Sequence, residues 1–129
     1  MKLTNIQILN ALNVLKDIRE QECRMPINLA FFLIKNANAL EKEISAYKEA
    51  YSLLLNKYAV KNSDGSIAVN EDKTIKLEDK NSFFNEYNNL ASAEVNVDIH
   101  LINIDLCDNL DITLDKMIHI QFMFCDKEV

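Results

Sequence analysis

The chain has one glycine, Gly65, one proline, Pro26, and no tryptophan among its 129 residues. Tight turns depend on glycine and proline, because these residues supply the backbone angles that turns need, so the composition disfavours an all-β sandwich or barrel. A lone glycine also cannot build a glycine-rich phosphate loop. The sequence therefore excludes P-loop and Rossmann-type nucleotide enzymes.

Cysteine is scarce and shows no motif. Cys23, Cys107 and Cys125 are odd in number and form no CxxC pair, so the sequence predicts neither a disulfide framework nor a zinc knuckle. We expect small, buried or half-buried thiols in a reducing compartment. The first residues lack the features of a signal peptide, and no apolar run reaches membrane-spanning length.

Positively charged residues are outnumbered by negatively charged ones. Fourteen Lys and Arg stand against 20 Asp and Glu, which gives a formal net charge of −6. Nucleic acids and anionic membranes are bound by clustered Lys and Arg, so we expect neither as a partner. A small nucleotide held in one local pocket remains open.

Two helices are clearly signalled in the N-terminal half. Thr4 and Gln7 have the spacing of a capping box, and apolar residues then recur at helical intervals, which predicts a helix over 5–22. Pro26 suits the first turn of a second helix over 27–58. The two helices would form an N-terminal helical hairpin.

The second helix carries an unbroken heptad pattern over about four heptads, typical of a coiled coil. Its seam positions are Ala30, Leu33, Ala37, Leu40, Ile44, Tyr47, Tyr51, Leu54 and Tyr58. At about 1.5 Å per residue this helix would be about 48 Å long, which is more than the first helix can cover. We therefore expect its alanine end to pack on the first helix, and its tyrosine end to meet the β-hairpin or a second copy of the chain.

The tyrosine end is the candidate binding surface. Tyrosine suits half-wet interfaces, because its ring is buried while its hydroxyl stays solvated, and packing at the core edge is the alternative. The candidate residues for self-association or partner binding are Tyr47, Tyr51, Leu54 and Tyr58. The hypothesis predicts a homo-oligomer, and it predicts that changing Tyr51 and Leu54 to Glu yields a folded monomer.

The second half of the chain alternates short strands and helices. The motif "NSDG" signals a turn, and residues 66–69 and 74–77 flank a polar stretch in the manner of a β-hairpin. The elements predicted after it are a helix over 81–91, a strand over 94–104 and a C-terminal helix over 114–124 capped by Thr113.

This order, α-α-β-β-α-β-α, predicts the α+β class. The fold would be mainly helical, with a small antiparallel sheet made from the hairpin plus one strand. We expect a single domain over 1–129, composed of the helical hairpin (1–60) and a β-hairpin, helix, strand and helix (61–129). No internal repeat and no linker are recognised.

The predicted strand over 94–104 has one polar face. Its polar side chains are Glu94, Asn96, Asp98 and His100. Asp98 and His100 are two residues apart on one face and could ligate a metal, whereas the alternative is the wet side of a half-buried strand. A third strong ligand at matching spacing is missing, so no metal and no other cofactor is assigned. No nucleophile with a neighbouring base is found either, so the protein is not expected to be an enzyme.

Three stretches together resemble a known family. They are "MKLTNIQILNALNVL", "LEKEISAYKEAYSLLLNKY" and "FFNEYNNLASAEVNVDIHLI". They are similar to small uncharacterised proteins encoded by phages and prophages of low-GC Gram-positive bacteria, although the link "DIREQECRMP" between the first two helices is longer than usual there. The resemblance implies a phage-derived protein in the host bacterial cytoplasm, with no catalytic residues to carry over.

We therefore expect a non-enzymatic phage accessory protein that binds a host factor, with antiphage defence as one such target. One alternative is a virion or assembly protein, such as a tail component or a chaperone. A further alternative is a small-ligand or metal-binding protein that uses Asp98 and His100.

Overall fold

The computed structural model describes residues 1–108 and 110–126. In these residues the helices are α1 (Asn5–Glu20), α2 (Ile27–Tyr58), α3 (Lys80–Ser92) and α4 (Leu114–Ile120). The strands are β1 (Lys2–Thr4), β2 (Glu94–Asn96), β3 (Ile102–Asn103) and β4 (Phe124–Cys125). The predicted α+β, mainly helical class is confirmed. No helix in these ranges carries an apolar stretch long enough to cross a membrane.

The chain forms two compact units. Unit 1 comprises Met1–Ile44 and Glu94–Val129, and unit 2 comprises Ser45–Ala93. The division falls inside α2, whereas the sequence placed its own subdivision at residue 60. The single domain over 1–129 stays a prediction.

The start of α1 is fixed as the sequence predicts. The Thr4 side chain accepts from the Gln7 N–H at 3.2 Å, and the Gln7 side chain accepts from the Thr4 N–H at 2.8 Å. The helix ends at Glu20 instead of residue 22, because Glu22 adopts a φ of +50° and its N–H donates back to the Arg19 carbonyl at 3.2 Å. This left-handed residue is the usual way to end a helix, although glycine is preferred there.

Unit 1 contains a sheet that the sequence did not reveal. Strand β1 pairs antiparallel with β2, with Leu3 opposite Val95, so the strand that the sequence places at Glu94 pairs with the N-terminus instead of with the hairpin. Three residues are too few to show the alternation of apolar and polar residues that identifies a strand, so the sequence does not predict β1. In addition, β3 pairs parallel with β4.

The predicted strand over 94–104 is interrupted. After β2, the backbone at His100 forms no ladder, because its N–H and C=O are both bonded to the side chain of Asn36, at 2.8 and 2.9 Å. Its polar row, described above, is exposed, while Val97 is buried, so the predicted wet side of this segment is correct.

The last helix is shorter than predicted. Thr113 caps α4 by accepting from the Lys116 N–H at 3.4 Å, as the sequence suggests. The helix stops at Ile120, and a 3-10 turn over Gln121–Met123 leads into β4. Because β4 pairs with β3, its residues are extended and cannot continue the helix.

Unit 2 contains a closed triangle of backbone hydrogen bonds. Ala68 N–H donates to Val60 at 2.8 Å, Lys76 N–H to Ala68 at 3.0 Å, and Val60 N–H to Lys76 at 2.9 Å. The predicted hairpin, seen as an antiparallel bridge between Val69 and Ile75, is thus one side of this triangle. A closed ring leaves no free strand edge at these positions, which guards against edge-to-edge pairing.

Two turns of the triangle repeat the same side-chain hydrogen bonds at an interval of eight residues. The Asp64 carboxylate accepts from the Ser66 N–H and hydroxyl at 3.0 and 2.6 Å, and the Asp72 carboxylate accepts likewise from Thr74 at 3.1 and 2.6 Å. These bonds hold the pKa of both carboxyls below their usual value. The stretches "NSDGS" and "NEDKT" differ in sequence but form the same turn. The expectation of no internal repeat is therefore wrong.

The repeat supplies a matched pair of stability predictions. Gly65 and Lys73 occupy the same turn position, with φ of +88° and +69°. Gly65→Ala should lower the free energy of unfolding of unit 2 by about 1 kcal/mol, and Lys73→Gly should raise it by up to about 1 kcal/mol, because a Cβ is disfavoured in this region. Urea unfolding followed by circular dichroism measures both. Changes of the same sign would show that the two turns are not equivalent.

Candidate functional site

The tyrosine end of α2 packs on α3 of the same chain. The Tyr51 ring lies 5.9 Å, edge to face, from Tyr87, and the Tyr58 ring lies 6.0 Å from Phe83 in the same manner. The partner that the sequence left open, a second chain or the hairpin, is thus α3. The signal available in the sequence was the aromatic pair Phe83 and Tyr87, four residues apart on one helix face.

The candidate binding residues are mostly covered by this packing. Tyr47 and Leu54 are buried, and Tyr51 and Tyr58 are half-buried. Burial, followed by a hydrogen bond with Tyr87, raises the pKa of Tyr47 to about 12, so its hydroxyl is protonated at neutral pH. Self-association through these four residues stays a prediction. The packing of α2 on α3 is enough to explain why these seam positions are apolar or aromatic.

Asp98 and His100 lie on the exposed side of unit 1. The His100 ring stacks on Phe32, with centroids 4.3 Å apart and an angle of 18° between the planes. Among residues 1–108 and 110–126, no group of three or more His, Cys, Asp and Glu is arranged to hold a metal ion. The stacked ring and the Asn36 contact give His100 a structural role in holding the segment after β2.

A row of apolar side chains on α2 is exposed and was missed in the sequence. Ile27, Phe31 and Ile34 are 82%, 58% and 50% exposed, and their spacing places them on one side of the helix. We call these three residues the apolar ridge. The sequence did contain a signal for this ridge. A helix that buries one apolar seam does not need large apolar residues on its other faces, so these three residues are in excess of what the seam requires.

An open cleft separates α1 from the alanine end of α2. Its volume is about 200 Å³, and we call it the α1–α2 cleft. The apolar side chains that line it include Leu15, Ile18, Met25, Ala30, Leu33 and Ala37. The sequence predicts that the alanine end of α2 packs on the first helix, and in the structure the two line the same cleft, where the short side chains of Ala30 and Ala37 leave space unfilled.

The three cysteines are free thiols; Cys23 and Cys107 are half-buried, as expected, whereas Cys125 is exposed. Burial, with a smaller effect of Asp108, raises the pKa of the Cys107 thiol. That thiol is therefore a poor nucleophile at neutral pH.

No family model, no curated protein and no solved structure matches the chain. The resemblance to phage and prophage proteins stays a prediction.

Proposed function

We propose that the protein is a non-enzymatic binding module that self-associates through the apolar ridge of α2. The observation that carries this proposal is the exposure of Ile27, Phe31 and Ile34 side by side. Clustered exposed apolar side chains mark interaction sites, and a helix face with this spacing is suited to packing against another helix. The proposal moves the predicted homo-oligomer interface from the tyrosine end of α2 to its N-terminal end.

The second copy fits this ridge in an antiparallel arrangement. A two-fold axis midway between Phe31 and Ile34 places each Phe31 against Ile34 of the second copy, which makes the interface self-complementary. Arg24 lies in the loop just before α2, and Glu41 lies within α2 beyond Ile34, so in this arrangement we expect each Arg24 to lie near Glu41 of the second copy. The centre of the interface is then apolar, and its two ends pair opposite charges.

Both charged residues are available for this pairing. Arg24 and Glu41 are exposed, and neither forms an ion pair within the described ranges. Asp111 lines the same surface depression as Arg24, but the two form no ion pair within the described ranges. In this register Lys35 faces Ala30, so no like charges meet across the centre.

The resemblance to phage proteins supports a biological role for the dimer. In that context the dimer acts in the host bacterial cytoplasm and binds a host protein. The sequence stretches named above support this part of the proposal.

Charge reversal tests the register. Arg24→Glu alone, or Glu41→Arg alone, creates a like-charge contact at both ends of the dimer and should weaken it about 5- to 10-fold, whereas the double variant should restore it. Sedimentation equilibrium at low salt measures the dissociation constant, and added salt should shrink the difference. Lys48→Glu, at an exposed position of α2 away from the ridge, is the control for net charge. A double variant that is as weak as the singles would contradict the pairing.

A further inference from the structure

The α1–α2 cleft has the form of a small binding site. Leu15 and Ile18 of α1 form one wall, Ala30 and Ala37 of α2 form the other, and Met25 of the connecting loop also lines it. All of these residues belong to unit 1. The site is therefore built within a single compact part of the chain, and its lining also includes Ile34 of the apolar ridge.

The connecting loop is held in place by the end of α1. Glu22 N–H donates to Arg19 at 3.2 Å, and Cys23 N–H donates to Ile18 at 3.5 Å, which together form the paired bonds of a Schellman motif. Glu22 accepts a left-handed conformation to make this turn. A loop fixed in this way keeps the cleft formed before any ligand arrives.

The size of the cleft sets the size of its occupant. An apolar protein cavity of about 150 Å³ holds benzene, which has six carbons, so about 200 Å³ holds about eight carbons by proportion. Such a volume fits one large apolar side chain, for example a benzyl or isobutyl group. It is too small to enclose a nucleotide or a long acyl chain.

Two opposite charges accompany the apolar walls. Among the lining residues Arg19 carries a positive charge and Glu22 a negative charge, and both side chains are exposed. Neither forms an ion pair within residues 1–108 and 110–126. A guanidinium recognises a carboxylate, and a carboxylate recognises an ammonium group.

We infer that the α1–α2 cleft binds a free α-amino acid with a large apolar side chain. The side chain occupies the space left by Ala30 and Ala37, Arg19 pairs with the ligand carboxylate, and Glu22 pairs with its ammonium group. This occupant matches the cleft in volume, in apolar lining and in both charges.

Three probes that share a benzyl group separate these contributions. L-phenylalanine carries both charges, 3-phenylpropanoate carries only the carboxylate, and 2-phenylethylamine carries only the ammonium group. A ligand of this size is expected to bind with a Kd of about 2 mM. Nuclear magnetic resonance titration of the full chain should show saturable shifts at Leu15 and Ala37, with L-phenylalanine about 2- to 5-fold tighter than either analogue.

Variants that remove one charge test which residue of the cleft recognises which charged group of the ligand. Arg19→Gln should weaken L-phenylalanine and 3-phenylpropanoate about 2- to 5-fold and leave 2-phenylethylamine unchanged, and Glu22→Gln should weaken the two amines and leave the acid unchanged. Lys35→Gln, which removes an exposed charge outside the cleft, is the control. If Arg19→Gln weakens all three probes equally, or none, the proposed recognition of the carboxylate is wrong.

Filling the cleft tests the apolar part. Ala37→Leu should weaken all three probes at least about 10-fold, because the larger side chain occupies the space. Ala46→Leu, at an exposed position of the same helix, should leave binding unchanged. The absence of shifts at the cleft with 10-fold more L-phenylalanine than the expected Kd would overturn the inference, and the surface variants above give an answer even if Ala37→Leu does not fold.

Discussion

Asn36→Ala is expected to lower the free energy of unfolding of unit 1 by about 2–4 kcal/mol. Asn36 is fully buried, its amide donates to the His100 carbonyl at 2.9 Å, and its carbonyl accepts from the His100 N–H at 2.8 Å. Alanine leaves both backbone groups without this partner, and each unsatisfied group costs about 1–3 kcal/mol. Urea unfolding measures the change. Asn38→Ala, two residues further on and exposed, should change the stability by less than about 0.5 kcal/mol.

Asn36→Asp adds a pH test of the same contact. The introduced carboxyl keeps an acceptor for the His100 N–H, but when ionised it loses the donor and repels the His100 carbonyl. Burial favours its neutral form, so its folded pKa lies above the unfolded value, and the destabilisation is present above the unfolded pKa and is relieved as the pH falls. Relative to wild type, the variant should regain stability between about pH 7 and about pH 4. Equal losses for Asn36→Ala and Asn38→Ala would show that the contact is dispensable.

Leu54→Glu is expected to unfold unit 2. Leu54 is 8% exposed, so glutamate would bury a charge in place of an apolar side chain, at a cost of at least about 4 kcal/mol. Its neighbour Leu53 is 67% exposed, and Leu53→Glu should change the stability by less than about 0.5 kcal/mol. Near-ultraviolet circular dichroism from the tyrosines reports the packing of the unit directly.

This expectation reverses the one drawn from the sequence, in which charges at Tyr51 and Leu54 produce a folded monomer. The heptad pattern identifies Leu54 as a seam residue but does not say which element covers it. A stable, monomeric Leu54→Glu variant would favour the sequence-based hypothesis over the packing on α3.

Local signals explain what the sequence predicted well. The bounds of α2 agree with the prediction because Pro26 marks its start and the heptad seam runs unbroken to Tyr58. The capping box of Thr4 and Gln7 agrees for the same reason, since all of its parts lie within four residues. Such features depend on neighbouring residues alone.

Contacts between distant residues explain what the sequence could not provide. Asn36 and His100 are 64 residues apart. The sequence around a polar residue on a helix does not indicate that its side chain bonds a backbone group so far along the chain. The pairing of the tyrosine end with α3, and the gap opposite Ala30 and Ala37, likewise depend on how helices come together. The candidate sites therefore emerged from the fold, although the apolar ridge was visible as surplus apolar residues on α2.

The mass of the full chain in solution tests the central claim most directly. Sedimentation equilibrium at micromolar concentration should give twice the chain mass of 14.8 kDa for the wild type. Phe31→Glu, which places like charges beside the two-fold axis, should give 14.8 kDa with an unchanged circular dichroism spectrum, and Leu53→Glu should remain a dimer. A wild-type mass of 14.8 kDa, or a dimer that survives Phe31→Glu, would contradict self-association through the apolar ridge.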